Sequence, residues 1–173
     1  TNPQSNYFLL RCQRVAERRI RNLSDSARAM LIEAHHRNPF VTSNLWPYAL
    51  RQASIIRRSI PCKGRTKSPL ELFSRVNVRP KIRHFHQFGC PTYVLTAPLQ
   101  AGYSQPRWDE RACVGVYLGH SPMHASSVAL ILSPCTGLVS PQFHCVFDDN
   151  FETIRDPGSY TPLTLPNKRL LSI

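Results

Sequence analysis

The carboxylate of Glu17 lies among arginines in the segment from Val15 to Ala34, VAERRIRNLSDSARAMLIEA. At about 100° per residue it falls just outside the apolar face of a helix. A carboxylate and several guanidinium groups in one place suit a metal ion or a phosphate-rich ligand. They also suit a plain surface pair between Glu17 and Arg21 at i,i+4, which the residue types alone favour. The arginines on this flank are Arg14, Arg18, Arg21 and Arg28.

Histidines offer a second possibility, a zinc site. His84 and His86 lie shortly before Cys90, and His120 lies four residues before His124. A dependable zinc site needs two close ligand pairs, whereas the six cysteines are scattered singly with no CxxC spacing. The favoured interpretation is therefore that these imidazoles are hydrogen-bonded or lie in the core.

Asp148 and Asp149 are a third possibility, since they come directly after a predicted strand. Adjacent strand residues point to opposite faces and are poor co-ligands for a metal. A turn or strand-end role is expected for them instead. The chain also has no GxGxxG, Walker or G-x-S-x-G motif.

Charge divides the chain into two unequal parts. The net charge is +12, with +13 carried by residues 1–83 and −1 by residues 84–173. Such an excess indicates a polyanionic partner, and nucleic acid is the usual one. No stretch approaches the roughly 20 apolar residues of a membrane span, and the N-terminus does not resemble a signal peptide. We expect no membrane partner, no secretion and reduced thiols.

The elements that must position these residues are helical in the first half. Residues 1–14 are expected to be a poorly ordered leader. Residues 15–61 hold two helices, the first ending near Arg37 before Asn38-Pro39. The second opens at Asn44, with Trp46, Leu50 and Ala53 on its buried face. Residues 62–83 are expected to be a basic linker with one helical turn at 68–73.

The second half alternates with a period close to two, which indicates strands. We place them near 88–95, 112–118, 127–132 and 138–147. Four or five short strands in about 65 residues predict a small barrel over 84–151. Residues 152–173 are expected to be a disordered coil tail. The predicted fold class is α+β.

Several motifs in one order resemble copia-type retrotransposon polyproteins. Val15-Ala-Glu-Arg-Arg-Ile-Arg21, Ala27-Arg-Ala-Met-Leu31 and Leu45-Trp-Pro-Tyr-Ala49 resemble the end of the integrase catalytic core. In that family a small SH3-like barrel comes next. The segments that resemble it are SPLELF (68–73), HFHQFGCPTYV (84–94), WDER (108–111), GVYLGHS (115–121) and TGLVSPQFH (136–144). The resemblance implies helices from an RNase H-like core and, after them, an SH3-like antiparallel β-barrel.

In that family, two aspartates and a glutamate hold two divalent metals, Mg²⁺ or Mn²⁺, that drive phosphoryl transfer. Glu17 matches the glutamate. The two aspartates lie upstream of it in the family, and no aspartate precedes Asp25 here. The resemblance therefore implies a fragment that cannot cut or join DNA alone and that needs no cofactor. Gln13-Arg14 replace the family's usual Asn-Gly, and Arg57-Arg58 occupy a region where an asparagine is expected.

The sequence leaves three hypotheses open. The first is an integrase fragment that binds DNA phosphates, in the nucleus, with the rest of its polyprotein as a further partner. The second is a non-enzymatic SH3-like interaction module with a basic nucleic-acid-binding leader. The third is a zinc-stabilised nucleic-acid binder using His84, His86 and Cys90. The cations expected to contact DNA are Arg14, Arg18, Arg19, Arg21, Arg28, Arg57, Arg58, Lys63, Arg65 and Lys67.

Overall fold

The computed structural model describes residues 3–76, 84–125 and 127–155, with side chains from Cys12 to Ile154 within those ranges. Helices come first and an antiparallel sheet comes after them, so the predicted α+β class is confirmed. The elements are α1 (Pro3–Arg37), a 3₁₀ turn (Ser43–Leu45), α2 (Trp46–Ser59), α3 (Pro69–Ser74), β1 (Pro91–Leu95), α4 (Ala97–Gln100), β2 (Ala112–His120), β3 (Ala129–Leu132), β4 (Val139–Gln142), β5 (Cys145–Phe147) and α5 (Glu152–Arg155).

Helix α1 is longer than predicted, and the unstructured leader expected over 1–14 is wrong. The helix begins at Pro3, where a proline in the first turn costs no hydrogen bond. No further proline or glycine occurs until Pro39, so nothing in the backbone ends the helix earlier. Its end at Arg37 agrees with the prediction.

The apolar face predicted for α1 is used only in its second half. Ala27 and Ala34 are buried against α2, whereas Val15 and Ile20 are more than half exposed. The first half of α1 therefore extends beyond the body of the protein without a covering element in the described part of the chain.

Helix α2 lies between α1 and β2, and its buried face shares Ala53 and the partly buried Leu50 with the predicted face but leaves out Trp46. Ala49, Gln52 and Ala53 are buried, while Trp46 is 60% exposed. Sequence periodicity favoured Trp46 as an anchor because it is large and apolar. The small residues Ala49 and Ala53 occupy the interface instead, together with the larger Gln52.

The sheet has the order β4-β3-β2-β1-β5, with every pair antiparallel. The last predicted strand, 138–147, divides into β4 and β5, which lie at opposite edges. Flat, the five strands would put these edges about 19 Å apart, but the link between Gln142 and Cys145 spans at most about 11 Å. The sheet is therefore strongly curled. Within the described residues β4 and β5 do not pair, so the predicted barrel closure is unconfirmed.

Strand β2 separates two cores because its side chains alternate between the faces of the sheet. Val116 and Leu118 face the first core, with Phe88 and the buried residues of α1 and α2. Tyr117 faces the second, with Cys90, Ala129, Ile131 and Phe151. The helices therefore pack against one face of the sheet at β2, and the second core lies on the opposite face.

Contacts around Gly89, which we call the Gly89 clasp, join the helices to the sheet. Asn38, which is almost fully buried, donates from Nδ2 to the Gly89 carbonyl at 2.8 Å, and its Oδ1 accepts from the Phe40 amide at 3.1 Å. Gly89 has φ +80°, and its Cα lies against Ala34 and Val41. A glycine is needed here for both the left-handed backbone and the close approach.

The coil tail predicted from residue 152 is wrong at its start, because its first residues, Glu152–Arg155, form helix α5. Phe151 is buried in the second core, and Ile154 packs against that core. The Asp148 carboxylate accepts hydrogen bonds from the Thr153 amide at 2.8 Å and the Thr153 hydroxyl at 2.6 Å. Asp148 therefore has the strand-end role expected for it. Residues 156–173 of the predicted tail and 77–83 of the predicted linker lie outside the described residues.

Candidate nucleic-acid interface

Five cations from three segments converge on one cleft. Its walls come from α1, α2 and the 62–68 segment, and its volume is about 470 Å³. These cations were all predicted to contact a polyanion, although nothing in the sequence indicated that they meet. They are Arg19, Arg57, Arg58, Arg65 and Lys67.

Backbone geometry directs the 62–68 segment into the cleft. Residues 62–65 form a turn in which the Arg65 amide donates to the Cys62 carbonyl at 2.9 Å. Gly64, at φ +80°, occupies the position where a type II turn requires a left-handed residue. Arg65 and Lys67, in and just after this turn, line the cleft together with Arg57 and Arg58 of α2.

The capping box of α3 fixes the far end of this segment. The Ser68 hydroxyl accepts from the Glu71 amide at 3.2 Å, and the Ser68 amide donates to Glu71 Oε2 at 2.8 Å. Both groups would otherwise be unsatisfied at a helix N-terminus. Ser68 is buried, so α3 is held against α2 and supplies Pro69 and Leu72 to the cleft.

Apolar and cationic side chains line the cleft together. Leu23, Pro69 and Leu72 line it together with Ser54 and Cys62. In the described part of the chain the ion pairs are Arg37–Glu33 at 2.7 Å and His86–Asp149 at 3.0 Å, and neither involves a cleft cation. Five positive charges at close range repel one another, and a polyanion in the cleft would relieve that repulsion.

The remaining predicted cations lie elsewhere. Arg14, Arg18, Arg21 and Arg28 occupy the side of α1 roughly opposite Arg19, as their helical spacing requires. Lys63 is exposed in the turn but does not line the cleft. The structure therefore divides the predicted cations into a cleft and a separate stripe along α1.

Glu17 is exposed on the free half of α1, and the Gln13 amide donates to it at 3.1 Å. The Glu17–Arg21 pair favoured from the sequence is not among the ion pairs of the described residues. Those residues also contain no group of three or more His, Cys, Asp or Glu side chains placed to hold a metal ion.

The histidines take part in aromatic packing. His86 stacks on Phe147 with ring centroids 3.7 Å apart, and its Nδ1 lies 3.0 Å from Asp149 Oδ2. Asp149 Oδ1 also accepts from the Gln87 amide. Cys90 is buried, and burial raises the pKa of its thiol, with the Asp149 carboxylate adding to the effect. The imidazole of His86 is therefore hydrogen-bonded and packed on an aromatic ring, which is the arrangement that the sequence favoured over a zinc site.

A buried polar cluster, formed by Gln52, Tyr117 and His120, lies between α2 and β2. The Tyr117 hydroxyl is 3.4 Å from His120 Nε2. The Gln52 amide lies close enough to Tyr117 to influence its pKa, yet neither Gln52 side-chain heteroatom nor His120 Nδ1 has a hydrogen-bond partner among the described residues. Burial lowers the pKa of His120 below its ordinary 6.5; a backbone hydrogen bond at His84 opposes this, and the nearby imidazoles of His86 and His84 add to it.

We expect the protein to lose stability as the pH falls below 6.5, the ordinary pKa of histidine. The unfolded chain takes up a proton at His120 there, whereas the folded chain resists it, so unfolding is favoured by acid. A single group contributes at most about 1.4 kcal/mol per pH unit. Urea titrations from pH 7.5 to 5 should show a smaller pH dependence for His120→Gln.

His144→Gln is the matched control, because His144 is exposed. It should leave the pH dependence unchanged. Equal pH dependence in His120→Gln and the unmodified protein would show that His120 does not carry the effect.

Comparison of the chain with protein-family models, with curated proteins and with solved structures gives no match. No helix in the described ranges is long and apolar enough to cross a bilayer. The function must therefore be inferred from the geometry of the cleft and from the charge distribution.

Proposed function

We propose that this protein binds the phosphate backbone of nucleic acid through the cleft formed by α1, α2 and residues 62–72. The observation that carries the proposal is the convergence of five cations, without ion pairs in the described residues, on one cleft that is also lined by apolar side chains. A nucleic acid is favoured over a small anion because the positive charge continues beyond the cleft along α1.

The wider proposal is that the chain is a segment of an integrase of the copia type. Its support is the order of motifs, with the helical segment before the antiparallel sheet. Glu17 would then be the third acidic residue of a two-metal site for Mg²⁺ or Mn²⁺, with its two partners supplied from elsewhere in the polyprotein. In this proposal the chain binds DNA in the nucleus and does not cleave it alone. Nicking of plasmid DNA by the purified chain in Mg²⁺ would contradict that assignment.

The test of the proposed function is the salt dependence of binding, measured by fluorescence anisotropy with a labelled 20-base-pair duplex. If all five cleft cations contact phosphates, the cleft contributes about −4.5 to the slope of log K against log salt. From this contribution affinity falls by roughly 500-fold between 50 and 200 mM salt. A flat response would overturn the proposal, because it would mean that phosphate contacts do not drive binding.

Neutralising the α2 side of the cleft should reduce this slope. In Arg57→Gln with Arg58→Gln, two phosphate contacts are lost, so the slope should become shallower by about 2. The factor by which affinity falls between 50 and 200 mM salt should be roughly 12-fold smaller than in the unmodified protein. The same anisotropy titration measures both quantities.

The matched control removes two charges outside the cleft. Arg107→Gln with Arg111→Gln gives the same net charge but alters the loop between α4 and β2. It should keep the slope of the unmodified protein. An equal change in both double variants would show that net charge, and not the cleft, determines binding.

A further inference from the structure

The first half of α1 is a cationic rod in which, among the described residues, only Arg19 lines the cleft with α2 and the 62–68 segment. All side chains from Cys12 to Asn22 are exposed, over a length of about 16 Å. This stretch carries a net charge of +3. Tertiary packing supplies most of the stability of helices in proteins, and this stretch buries no side chain, so a bound partner would add to its stability.

Arginines lie on two sides of this rod. Arg14, Arg18 and Arg21 form a stripe along one side, and Arg19 lies about 130° away around the helix axis, on the side of the cleft. A flat anionic surface could contact only one of these sides. A groove with phosphates on both walls could contact both at once.

The charge of this stretch also indicates which kind of partner binds it. A second copy of this helix would bring two stretches of +3 together, and their repulsion disfavours self-association. The stretch lacks a compact apolar patch as well, because Val15 and Ile20 lie at opposite edges of the apolar face of α1, about 140° apart around the helix. An anionic ligand that surrounds the rod satisfies both observations.

We infer that the stretch from Cys12 to Asn22 of α1 inserts into the major groove of a DNA duplex, an inference that rests on the proposed function. The major groove is about 12 Å wide and admits one α-helix, with phosphates along both edges. Arg14, Arg18 and Arg21 then contact one strand, while Arg19 and the cleft contact the other. The cleft thus holds the backbone beside the groove that the helix occupies.

The first test blocks the groove on the DNA. Duplexes carrying glucosylated 5-hydroxymethylcytosine present a bulky sugar in the major groove without altering the phosphates. Affinity for the glucosylated duplex should be at least about tenfold weaker than for the plain duplex, since a good groove contact contributes about 1–3 kcal/mol. Equal affinity for both duplexes would overturn the inference and leave the proposed function standing.

The second test uses dimethyl sulfate, which methylates guanine N7 in the major groove. The unmodified protein should protect guanines within its site. The triple variant Arg14→Gln, Arg18→Gln and Arg21→Gln should lose that protection, and its salt slope should become shallower by about 3. A control with the same charge, Arg75→Gln, Arg107→Gln and Arg111→Gln, changes exposed arginines outside the cleft and outside the α1 stripe, and it should keep the protection.

The outcomes separate the two proposals. Duplex binding that depends on Arg57 and Arg58 but leaves guanine N7 reactive supports the cleft and overturns groove insertion. No binding to any duplex overturns both. Tighter binding to phosphatidylserine vesicles than to duplex DNA, abolished by the Arg14, Arg18 and Arg21 changes, would show that the helix contacts a lipid surface instead.

Discussion

Gly89→Ala is expected to lower the free energy of unfolding by about 2–5 kcal/mol, although only one methyl group is added. Gly89 has φ +80°, and a residue with a Cβ atom is strained there by about 1–2 kcal/mol. The new Cβ would also lie 2.6 Å from Ala34 Cβ and 3.0 Å from Val41 Cγ2. Overpacking in a filled core adds about 1–3 kcal/mol, and urea denaturation followed by circular dichroism measures the total.

Gly102→Ala separates the two contributions. Gly102 has a similar φ, +83°, but a Cβ added there meets nothing within 4 Å. This variant should therefore show the backbone strain alone, about 1–2 kcal/mol. Equal losses of stability in the two variants would mean that the contact of Gly89 with α1 and Val41 contributes nothing.

The Gly89 clasp matters for function because it fixes the helices that form the cleft. Gly89 contacts Ala34 at the end of α1, and its carbonyl accepts from Asn38 just beyond that helix. Helix α2 is held between α1 and β2 by the first core. The sheet therefore acts as a support that sets the spacing between Arg19 on α1 and Arg57 on α2.

Local patterns in the sequence predicted most of the elements. The proline after Arg37 and the Ser68 capping signal depend on neighbouring residues, so both were predictable. The start of α1 was not predicted, because few signals distinguish a frayed leader from an unsupported helix. The division of the last strand was also missed, since it depends on the curl of the sheet and on no local breaker.

The candidate site was predictable in its composition but not in its geometry. The sequence identified every cleft cation as a candidate contact to a polyanion. It did not indicate that Arg19 meets Arg65, because their proximity depends on how α1 packs on α2. It also missed the apolar part of the cleft lining, because Leu23 and Leu72 resemble ordinary core residues in the sequence. Glu17, by contrast, stood out in the sequence but contacts only Gln13 in the hydrogen bonds of the described residues.

Tyr117→Ala is expected to destabilise the protein by about 3–5 kcal/mol, the usual cost of truncating a buried aromatic side chain. Tyr117 is fully buried and is the largest such side chain in the described part of the chain. Its ring makes edge-to-face contacts with His86 and Phe147, at centroid distances of 5.7 and 5.3 Å. Truncation would leave a cavity that the curled sheet cannot collapse to fill, and urea denaturation at pH 7.5 measures the loss.

Tyr117→Phe keeps the ring and removes only the hydroxyl, so it tests which part of the side chain matters. Burial raises the pKa of the Tyr117 hydroxyl and the Cys90 sulfur adds to the effect, so the hydroxyl is neutral at every pH at which the protein would be handled. Its hydrogen bond to His120 is long, at 3.4 Å, and its loss should cost about 0.5–1.5 kcal/mol. If Tyr117→Phe proved as damaging as Tyr117→Ala, the polar cluster with Gln52 and His120 would stabilise this core more than ring packing does. A loss below about 1 kcal/mol in Tyr117→Ala, against the usual cost of such a truncation, would instead contradict the burial of this ring.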